Sequence, residues 1–220
     1  MKITNKSLFH PSGIEHIDSF IFSKEYPWEL LPLIKPYIQS LIEKGLPGYT
    51  KLKDDALIGQ NVMIADTATI IGPAIIGNNV EIRPGCFIRG LVLIGDQCVL
   101  GNSSEFKNAV LLSHCQAPHY NYVGDSILGN YAHMGAGSIC SNLRSDGKPV
   151  VIHGEEDINT GIRKVGSFLG DHADIGCNSV LNPGTIIGQN TQVYPLTMTR
   201  GVYPNNSIVK STNVVVEKKQ

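Results

Sequence analysis

Two cations and a histidine are the residues of this 220-residue chain whose types and spacing could do chemistry together. Arg89 and Lys107 are 18 residues apart, and each directly follows a large apolar residue. If 18 residues make one coil of a stacked fold, their backbones lie about 4.8 Å apart. Two cations that close repel each other unless an anion lies beside them, so the pair predicts a phosphate site. The alternative is that the nearby Glu105 neutralises one of the two charges.

The candidate base is His119, which lies where otherwise regular sequence is interrupted. An imidazole accepts protons near neutral pH and suits general base catalysis. A histidine that leaves a regular wall is better placed for this role than one inside the wall. Considered alone, however, a histidine in a loop is more often structural or solvated.

A six-residue repeat defines the element that would position these side chains. Ten large apolar residues recur in phase: Ile58, Ile64, Ile70, Ile76, Ile82, Ile88, Ile94, Leu100, Phe106 and Leu112. A smaller residue lies four positions after each, up to Val110. This period fits neither an α-helix nor an ordinary sandwich strand. It predicts an all-β fold, a single-stranded parallel β-helix whose short strands wind around a three-sided prism. Cys86, Cys98 and Cys140 fall at interior positions and are expected to be small core residues.

The repeat also divides the chain. The β-helix is expected over residues 55–200, with loops at about 114–121 and 143–165 where the phase breaks. Residues 1–54 lack the repeat and predict a short helical N-terminal cap over the open end of the prism, or a segment that selects the substrate. Residues 201–220 are expected to form a C-terminal arm and tail. Because side chains fill the prism, any site must lie on its outer faces or between copies of the chain.

Composition excludes several functional classes. The net charge is −1 and no run of about 18 apolar residues occurs, so we expect no nucleic-acid partner, no membrane span and a cytoplasmic location. None of the five cysteines forms a C-x-x-C pair, which argues against disulfides and a zinc knuckle.

Further motifs carry a family resemblance. They are EFKN at 105–108, PHYNYVGDS at 118–126, GAGS at 135–138 and SN at 141–142. In this order and spacing they resemble the acetyltransferase domain of the bifunctional N-acetylglucosamine-1-phosphate uridyltransferases. The archaeal-type sugar-1-phosphate acetyltransferases are more similar still, since they share the long loop after the asparagine and an Arg-Lys pair at its end. The resemblance covers about residues 55–210 and implies that the prism winds left-handed.

The resemblance implies acetyl transfer from acetyl-CoA to the amine of an amino sugar-1-phosphate, such as glucosamine-1-phosphate, in a homotrimer with its sites between subunits. It makes His119 the general base, Asn142 the residue that orients the reacting groups, and the backbone N–H near Ala136 the contact to the acetyl oxygen. The residues implied for the sugar phosphate are Arg89, Lys107, Tyr122, His133 and Lys164. Those implied for coenzyme A are Cys177, Pro195, Arg200 and Lys210.

The chain also departs from the bacterial pattern. His133 replaces a substrate-binding asparagine, Cys177 replaces a serine, and the loop at 143–165 is longer. These differences leave the acceptor open among glucosamine-1-phosphate, galactosamine-1-phosphate and a nucleotide-linked amino sugar. Residues 1–54 are too few to hold a nucleotide-binding α/β domain, so we expect no uridyl transfer.

Two other classes of function remain open. His114 and His119 have the five-residue spacing of two zinc ligands in γ-class carbonic anhydrases, which share the prism fold. The third ligand of those enzymes should lie near residue 78, where this chain has Asn78, so we expect no metal. The second alternative is a non-catalytic β-helix that binds a sugar nucleotide.

Overall fold

The computed structural model of the chain describes residues 3–53, 55–212 and 214–218. Short helices come first: α1 (Asn5–Leu8), α2 (Glu15–Ile21), a 3-10 helix (Pro27–Leu33) and α3 (Ile34–Lys44). The strands then follow in chain order: β1 (Thr50–Lys53), β2 (Ala56–Ile58), β3 (Met63–Ile64), β4 (Thr69–Ile71), β5 (Ala74–Ile76), β6 (Glu81–Ile82), β7 (Phe87–Arg89), β8 (Val92–Ile94), β9 (Val99–Asn102), β10 (Glu105–Leu111), β11 (Gln116–His119), β12 (Tyr122–Leu128), β13 (His133–Met134), β14 (Ile139–Cys140), β15 (Val151–His153), β16 (Asp157–Asn159), β17 (Ser167–Leu169), β18 (Asp174–Ile175), β19 (Val180–Leu181), β20 (Thr185–Ile187), β21 (Gln192–Val193), β22 (Met198–Thr199), β23 (Val202–Tyr203), β24 (Ser207–Ser211) and β25 (Val214–Glu217).

Successive strands turn around a prism with three faces, and each pairs in parallel with the strand one coil later. The covered face consists of β2, β5, β8, the second halves of β10 and β12, β17, β20 and β23. The middle face consists of β3, β6, β9, β11, β13, β18, β21 and β24. The open face consists of β4, β7, the first halves of β10 and β12, β14, β19 and β22. The predicted fold class, a left-handed parallel β-helix with a short helical N-terminal segment, is confirmed.

The interior holds the in-phase residues of the repeat. Ile76, Ile82 and Ile94 belong to one continuous core and are at most 1% exposed. Cys86 and Cys140 are buried in the same core, and burial raises the pKa of both thiols to about 12. Cys98 is buried in this core as well, so the expectation that the three cysteines are small core residues is confirmed.

The change of phase was predicted at the wrong place. Leu111, not Leu112, points into the core, because the chain turns the preceding corner in one residue fewer. Phe106 consequently lies opposite Val123, only 17 residues later. The shortened corner is built on Asn108, whose φ of 48° is left-handed. The predicted loop at 114–121 is instead a corner followed by strand β11, which pairs with the coils before and after it.

The helical segment lies against the side of the prism rather than over its open end. The covered face carries one large outward residue per coil, such as Leu57, Ile75 and Leu93, and these pack with the N-terminal helices in a second core. Buried Asp171 anchors the segment by accepting a hydrogen bond from the His10 N–H at 2.7 Å. The prediction of an end cap was wrong because the apolar surface that needs cover is this face. No helix in the described ranges is long and apolar enough to cross a membrane.

Antiparallel strands close the stack at both ends. Strand β1 pairs with β2 at one end and β25 with β24 at the other. Strands β23 and β24 still pair in parallel with the preceding coil, so the coils continue past the predicted boundary at residue 200. The long loop at 143–165 contains the hairpin β15–β16 and closes at its base by a bridge between Leu143 and Lys164.

Candidate active site

The two predicted cations lie in one row of the open face. Ile88 lies opposite Phe106 in the next coil, which puts Arg89 beside Lys107. Arg89 Nη1 is 2.8 Å from Glu105 Oε1, so the alternative of local neutralisation holds for this arginine. Lys107 has no ion-pair or hydrogen-bond partner among the described residues. Arg89 is therefore a cation with an ion-pair partner, and the Lys107 ammonium beside it has none among the described residues.

Tyr122 lies outward on the same face, opposite Glu105. Its side chain leans over Gly124, where an added Cβ would meet the phenol oxygen, so a larger residue there would displace the Tyr122 ring. The hydroxyl accepts a hydrogen bond of 3.1 Å from Asn142 Nδ2. Burial, together with the charges of Glu105 and Asp125, raises the pKa of Tyr122 above its usual value. The phenol is thus protonated at neutral pH and can act as a hydrogen-bond donor.

Asp125 lies at the corner between the open and covered faces and is only 4% exposed. Its carboxylate accepts hydrogen bonds from Asn142 Nδ2 at 2.5 Å and from Asn108 Nδ2 at 2.8 Å. The backbone carbonyls of Asp125 and Asn142 accept hydrogen bonds from Gly166 and Val165, at 2.7 and 3.0 Å, where the long loop returns to the coils. Asn142 is therefore held by both its side chain and its backbone.

His119 ends strand β11 at the corner between the middle and open faces. Its N–H donates to Asn121 Oδ1 at 3.0 Å, and its carbonyl accepts from the Gly137 N–H at 3.0 Å. Asn121 is itself buried and donates to the Gly135 carbonyl at 2.8 Å. The imidazole is exposed and makes no hydrogen bond with any described residue. The backbone is thus fixed while both ring nitrogens are open to a ligand.

A column of predicted residues continues from His119 down this corner. Ala136, Cys177 and Pro195 occupy the same position in the next three coils, and backbone hydrogen bonds of 2.8–3.0 Å link each coil to the following one. The N–H of Ala136 has no acceptor among the described residues. Pro195, which has no N–H to donate, can occupy the equivalent position in the last of these coils. The structure brings the predicted base, the predicted oxyanion donor and two of the four predicted coenzyme A residues, Cys177 and Pro195, into one line.

The two cations predicted for coenzyme A lie near the last coils. Arg200 is exposed, and its Nη2 is 2.8 Å from His153 Nε2 in the long loop. His153 Nδ1 is 2.9 Å from Asp157 Oδ1, so Nδ1 carries the proton and Nε2 accepts from the guanidinium. Lys210 is exposed and has no partner in the described part of the chain.

His133 and Lys164 lie apart from the row of Arg89 and Lys107. His133 is on the middle face, where its Nδ1 is 2.8 Å from Asp174 Oδ1. This hydrogen bond lowers the pKa of Asp174 below its usual value. Lys164 lies at the base of the long loop with an exposed side chain. One chain therefore does not gather all the predicted substrate residues on a single face.

The second histidine of the zinc-like spacing lies at the corner that precedes β11. The ring of His114 stacks on Tyr131 with centroids 4.3 Å apart, and Tyr131 stacks on His172 at 4.8 Å. A groove of about 480 Å³ lies beside this stack, at a different corner from His119. Within residues 3–53, 55–212 and 214–218, no group of three or more His, Cys, Asp or Glu side chains could hold a metal ion.

Sequence reasoning missed the residues that hold the site in place. Asn108 and Asp125 both stand in the motifs quoted above, but neither was given a role. The signal that could have found them is the lost residue in the repeat, since each builds a shortened corner with a left-handed φ of 48° or 49°. Asn121, which fixes the backbone of His119, was also given no role.

Comparison with known proteins shows which family this chain resembles. Residues 70–165 match the family model described as the GMPPB C-terminal domain. The chain is 34% identical over 202 residues to the "Bifunctional protein GlmU" of Methanococcus maripaludis (strain C5), which covers 89% of the chain and 48% of that protein. It is also 35% identical over 180 residues to the "Putative uncharacterized acetyltransferase YaiX" of Escherichia coli (strain K12), which covers 73% of the chain and 78% of that protein. This last relative shows that the chain belongs to the hexapeptide-repeat acetyltransferase family.

As a member of this family, the chain spans about half the length of the bifunctional relatives it matches. Among solved structures, a variant of the N-acyltransferase AntD from Bacillus cereus, in complex with dTDP and coenzyme A, is 20% identical and covers 83% of this chain and 89% of that one. Its TM-score of 0.40 is too low to add to the assignment.

Proposed function

We propose that the chain transfers the acetyl group of acetyl-CoA to the amine of an amino sugar-1-phosphate, with His119 as general base. One observation carries the proposal: an exposed imidazole without a hydrogen bond stands at the head of the Ala136–Cys177–Pro195 column, beside the open face that carries Lys107. Family membership supplies the reaction class. The printed names of the relatives, among them a "Bifunctional sugar-1-phosphate nucleotidylyltransferase/acetyltransferase", support the acceptor class.

The column gives acetyl-CoA a path along the prism. The three coils from His119 to Pro195 rise about 14 Å at the spacing of paired strands. An extended pantetheine arm would lie along this line with its thioester near His119. Arg200 and Lys210, exposed near the last coils, would then contact the phosphates of coenzyme A.

The chemistry follows from the groups at the head of the column. The neutral amine of the sugar attacks the thioester carbonyl, and His119 accepts the proton that the nitrogen must lose. The carbonyl oxygen becomes negative in the tetrahedral intermediate and accepts a hydrogen bond from the open N–H of Ala136. Collapse breaks the C–S bond, and the protonated His119 returns its proton to the leaving thiolate. The products are an amide and free coenzyme A.

The open face supports the binding of a phosphorylated acceptor. Lys107 is the unpaired cation, Arg89 lies beside it, and the protonated hydroxyl of Tyr122 is a further donor. Lys164, at the base of the long loop, would add a second unpaired charge. A phosphate monoester suits such a set because it accepts several charged hydrogen bonds at once.

We further propose a homotrimer in which each site lies between two subunits. Ile139, Val180 and Met198 form an outward column on the open face and are 36–51% exposed. Such a contiguous apolar patch favours a protein partner. A second subunit placed there would cover it and close the site. Its middle face would bring in His133, which lies too far around the prism to reach the open face of its own chain.

The identity of the acceptor is tested by thiol release from acetyl-CoA. The panel contains glucosamine-1-phosphate, galactosamine-1-phosphate, their unphosphorylated sugars and nucleotide-linked amino sugars. We expect the 1-phosphates to react fastest. A preference for the nucleotide-linked sugars would correct the acceptor class, and no thiol release with any member would contradict the function.

The role of His119 is tested with a matched pair of variants. His119→Ala should lower kcat about 100- to 10,000-fold, the usual contribution of a general base, and leave thermal stability unchanged because the ring is exposed. His114→Ala removes a histidine from the corner that precedes the same strand and should retain full activity. Equal activity of the two variants would show that His119 is not the base.

A further inference from the structure

The shortened corners at Asn108 and Asp125 do more than change the phase of the repeat. They lie in consecutive coils, and their side chains are hydrogen-bonded to each other across the step between coils. Asp125 is the buried partner, and its second oxygen accepts from Asn142. The pair therefore links the shape of the corner to a predicted catalytic side chain.

The carboxylate fixes which way the Asn142 amide faces. An ionised carboxylate only accepts hydrogen bonds, so the Asn142 group beside Asp125 must be the NH₂ and not the carbonyl. The same nitrogen has its second proton directed at the Tyr122 hydroxyl. Both amide protons are thus used within the protein. Asn142 Oδ1 has no partner among the described residues and is left as a hydrogen-bond acceptor for a ligand.

The effect passes on to Tyr122. Because its oxygen accepts a hydrogen bond from Asn142, the phenol hydrogen is free to be donated elsewhere. The raised pKa of Tyr122 keeps that hydrogen in place. The site thus presents one fixed donor, the Tyr122 hydroxyl, and one fixed acceptor, Asn142 Oδ1. This polarity matches an acceptor sugar whose amine donates to Asn142 while a neighbouring oxygen accepts from Tyr122.

We propose that Asp125 is a positioning residue that sets the hydrogen-bond polarity of the acceptor site through Asn142 and Tyr122. The inference rests on the proposed function, since it concerns how the same site orients its acceptor. Asp125 itself touches neither substrate. Its carboxylate lies beneath both side chains and holds the amide in one of its two orientations.

A second buried aspartate provides a matched control. Asp171 is 2% exposed, lies at a different corner, and accepts hydrogen bonds from Asn130 and His10. It anchors the N-terminal segment and contacts none of the residues proposed to act on substrate. Loss of either carboxylate should therefore cost stability, but only the loss of Asp125 should alter how the acceptor is held.

The test compares Asp125→Gly with Asp171→Gly in the full chain. Glycine tolerates the φ of 49° at position 125, so the carboxylate is removed without backbone strain. Asp125→Gly should lower kcat/KM for the amino sugar phosphate about 10- to 100-fold, because a misplaced reacting group costs that much. The KM for acetyl-CoA should stay unchanged. Asp171→Gly should lose thermal stability and keep both constants.

A rescue variant distinguishes whether Asp125 positions Asn142 or only stabilises the fold. Asn108→Asp combined with Asp125→Asn exchanges acid and amide, so that the amide at 125 donates to the acid at 108 and offers its oxygen to Asn142. The Asn142 orientation is then retained, and most of the lost kcat/KM should return. Failure of the folded exchange variant to recover, or equal kinetics of the two glycine variants, would overturn the proposal.

Crystal structures of wild type and the exchange and glycine variants give a readout that does not need activity. We expect the Asn142 side chain to leave its place in Asp125→Gly and to keep it in the exchange variant. An unmoved Asn142 in Asp125→Gly would overturn the inference even if the enzyme is active. No thiol release by the wild-type chain would instead contradict the proposed function and leave this structural arm to decide the inference.

Discussion

The covered and open faces of the prism both carry apolar side chains that point outward, but these side chains differ in their exposure. Each presents a column of apolar side chains that point away from the core: on the covered face there is one in every coil, and on the open face they are Ile139, Val180 and Met198 in the last three coils. On the covered face Leu93 is 0% exposed, because the N-terminal helices pack against it. On the open face Val180 is 36% exposed and Met198 51%. The chain supplies its own cover for one face and leaves the other bare.

The difference explains where chemistry can be placed. A face sealed by helices has no room for a ligand, so its side chains serve stability alone. The bare face carries Lys107, Tyr122 and Asn142, and its edge carries His119. An apolar column beside these polar groups favours burial against a second copy of the chain over exposure to water. The face that stabilises the fold and the face proposed to bind substrate thus lie on different sides of the prism.

The comparison is tested by placing an aspartate at an outward apolar position on each face. We expect the larger loss of unfolding free energy on the covered face. Leu93→Asp buries an unpaired carboxylate beneath the helices and should destabilise the fold by about 3–5 kcal/mol. Urea denaturation followed by circular dichroism measures this loss. A stable Leu93→Asp variant would mean that the helical segment can leave the covered face.

Val180→Asp is the partner substitution on the open face. The unfolding free energy of the separated subunit should change by no more than about 0.5 kcal/mol, because the side chain already meets solvent. Association should fail, since each interface would gain a desolvated charge. Sedimentation should show a trimer for wild type and smaller species for the variant, with acetyl transfer lost in step. A wild-type monomer that is fully active would refute the shared site.

Two lysines test whether the sugar phosphate and acetyl-CoA bind to separate parts of the proposed site. Lys107→Met should raise the KM for the sugar phosphate about 10- to 100-fold, because a charged hydrogen bond contributes about 1.5–3 kcal/mol. The KM for acetyl-CoA should not change. Lys210→Met should show the reverse pattern, with the KM for acetyl-CoA raised alone. Steady-state kinetics with each substrate varied in turn distinguishes them, and a shared effect on both KM values would contradict the assignment.

The smallest effect is expected on the middle face, from the pair of His133 and Asp174. The hydrogen bond lowers the folded-state pKa of Asp174, so the pair stabilises the fold above the usual carboxylate pKa and loses this effect as pH falls through the lowered value. Asp174→Asn should cost less than about 1 kcal/mol at pH 7, because both side chains are partly exposed.

Thermal unfolding between pH 7 and pH 3 tests this sign. The gap between wild type and Asp174→Asn should narrow below about pH 4, where carboxylates in the unfolded chain take up protons. A gap that does not depend on pH would show that the pair contributes packing and no charge.

The fold could be predicted because the repeat is local and strict. An interior position such as Ile76 or Ile94 recurs every six residues, and stacking then follows from pairing strands. The place of the phase change could not be found in this way. Losing one residue at Asn108 and another at Asp125 gives the same later phase as gaining four near His119, and only the backbone shows that the residues were lost at these two corners.

The site was predicted from motifs, but its arrangement was not. His119, Ala136 and Cys177 fall at equivalent positions of the repeat, so their column follows once the coils are known. The hydrogen bonds of Asp125 depend on two left-handed corners meeting across a coil, which no spacing rule describes. The helical segment was misplaced because the six-residue period records the inward positions and does not show which outward face is covered.

The base of the long loop has a consequence for how such an enzyme could be altered. Ile127 of the coil before the loop pairs directly with Phe168 of the coil after it, and the strands continue as though residues 143–165 were absent. Leu143 and Lys164 close the excursion at its neck. Because the coils on either side keep their pairing, the length and sequence of this loop could be exchanged between relatives without disturbing the register of the coils.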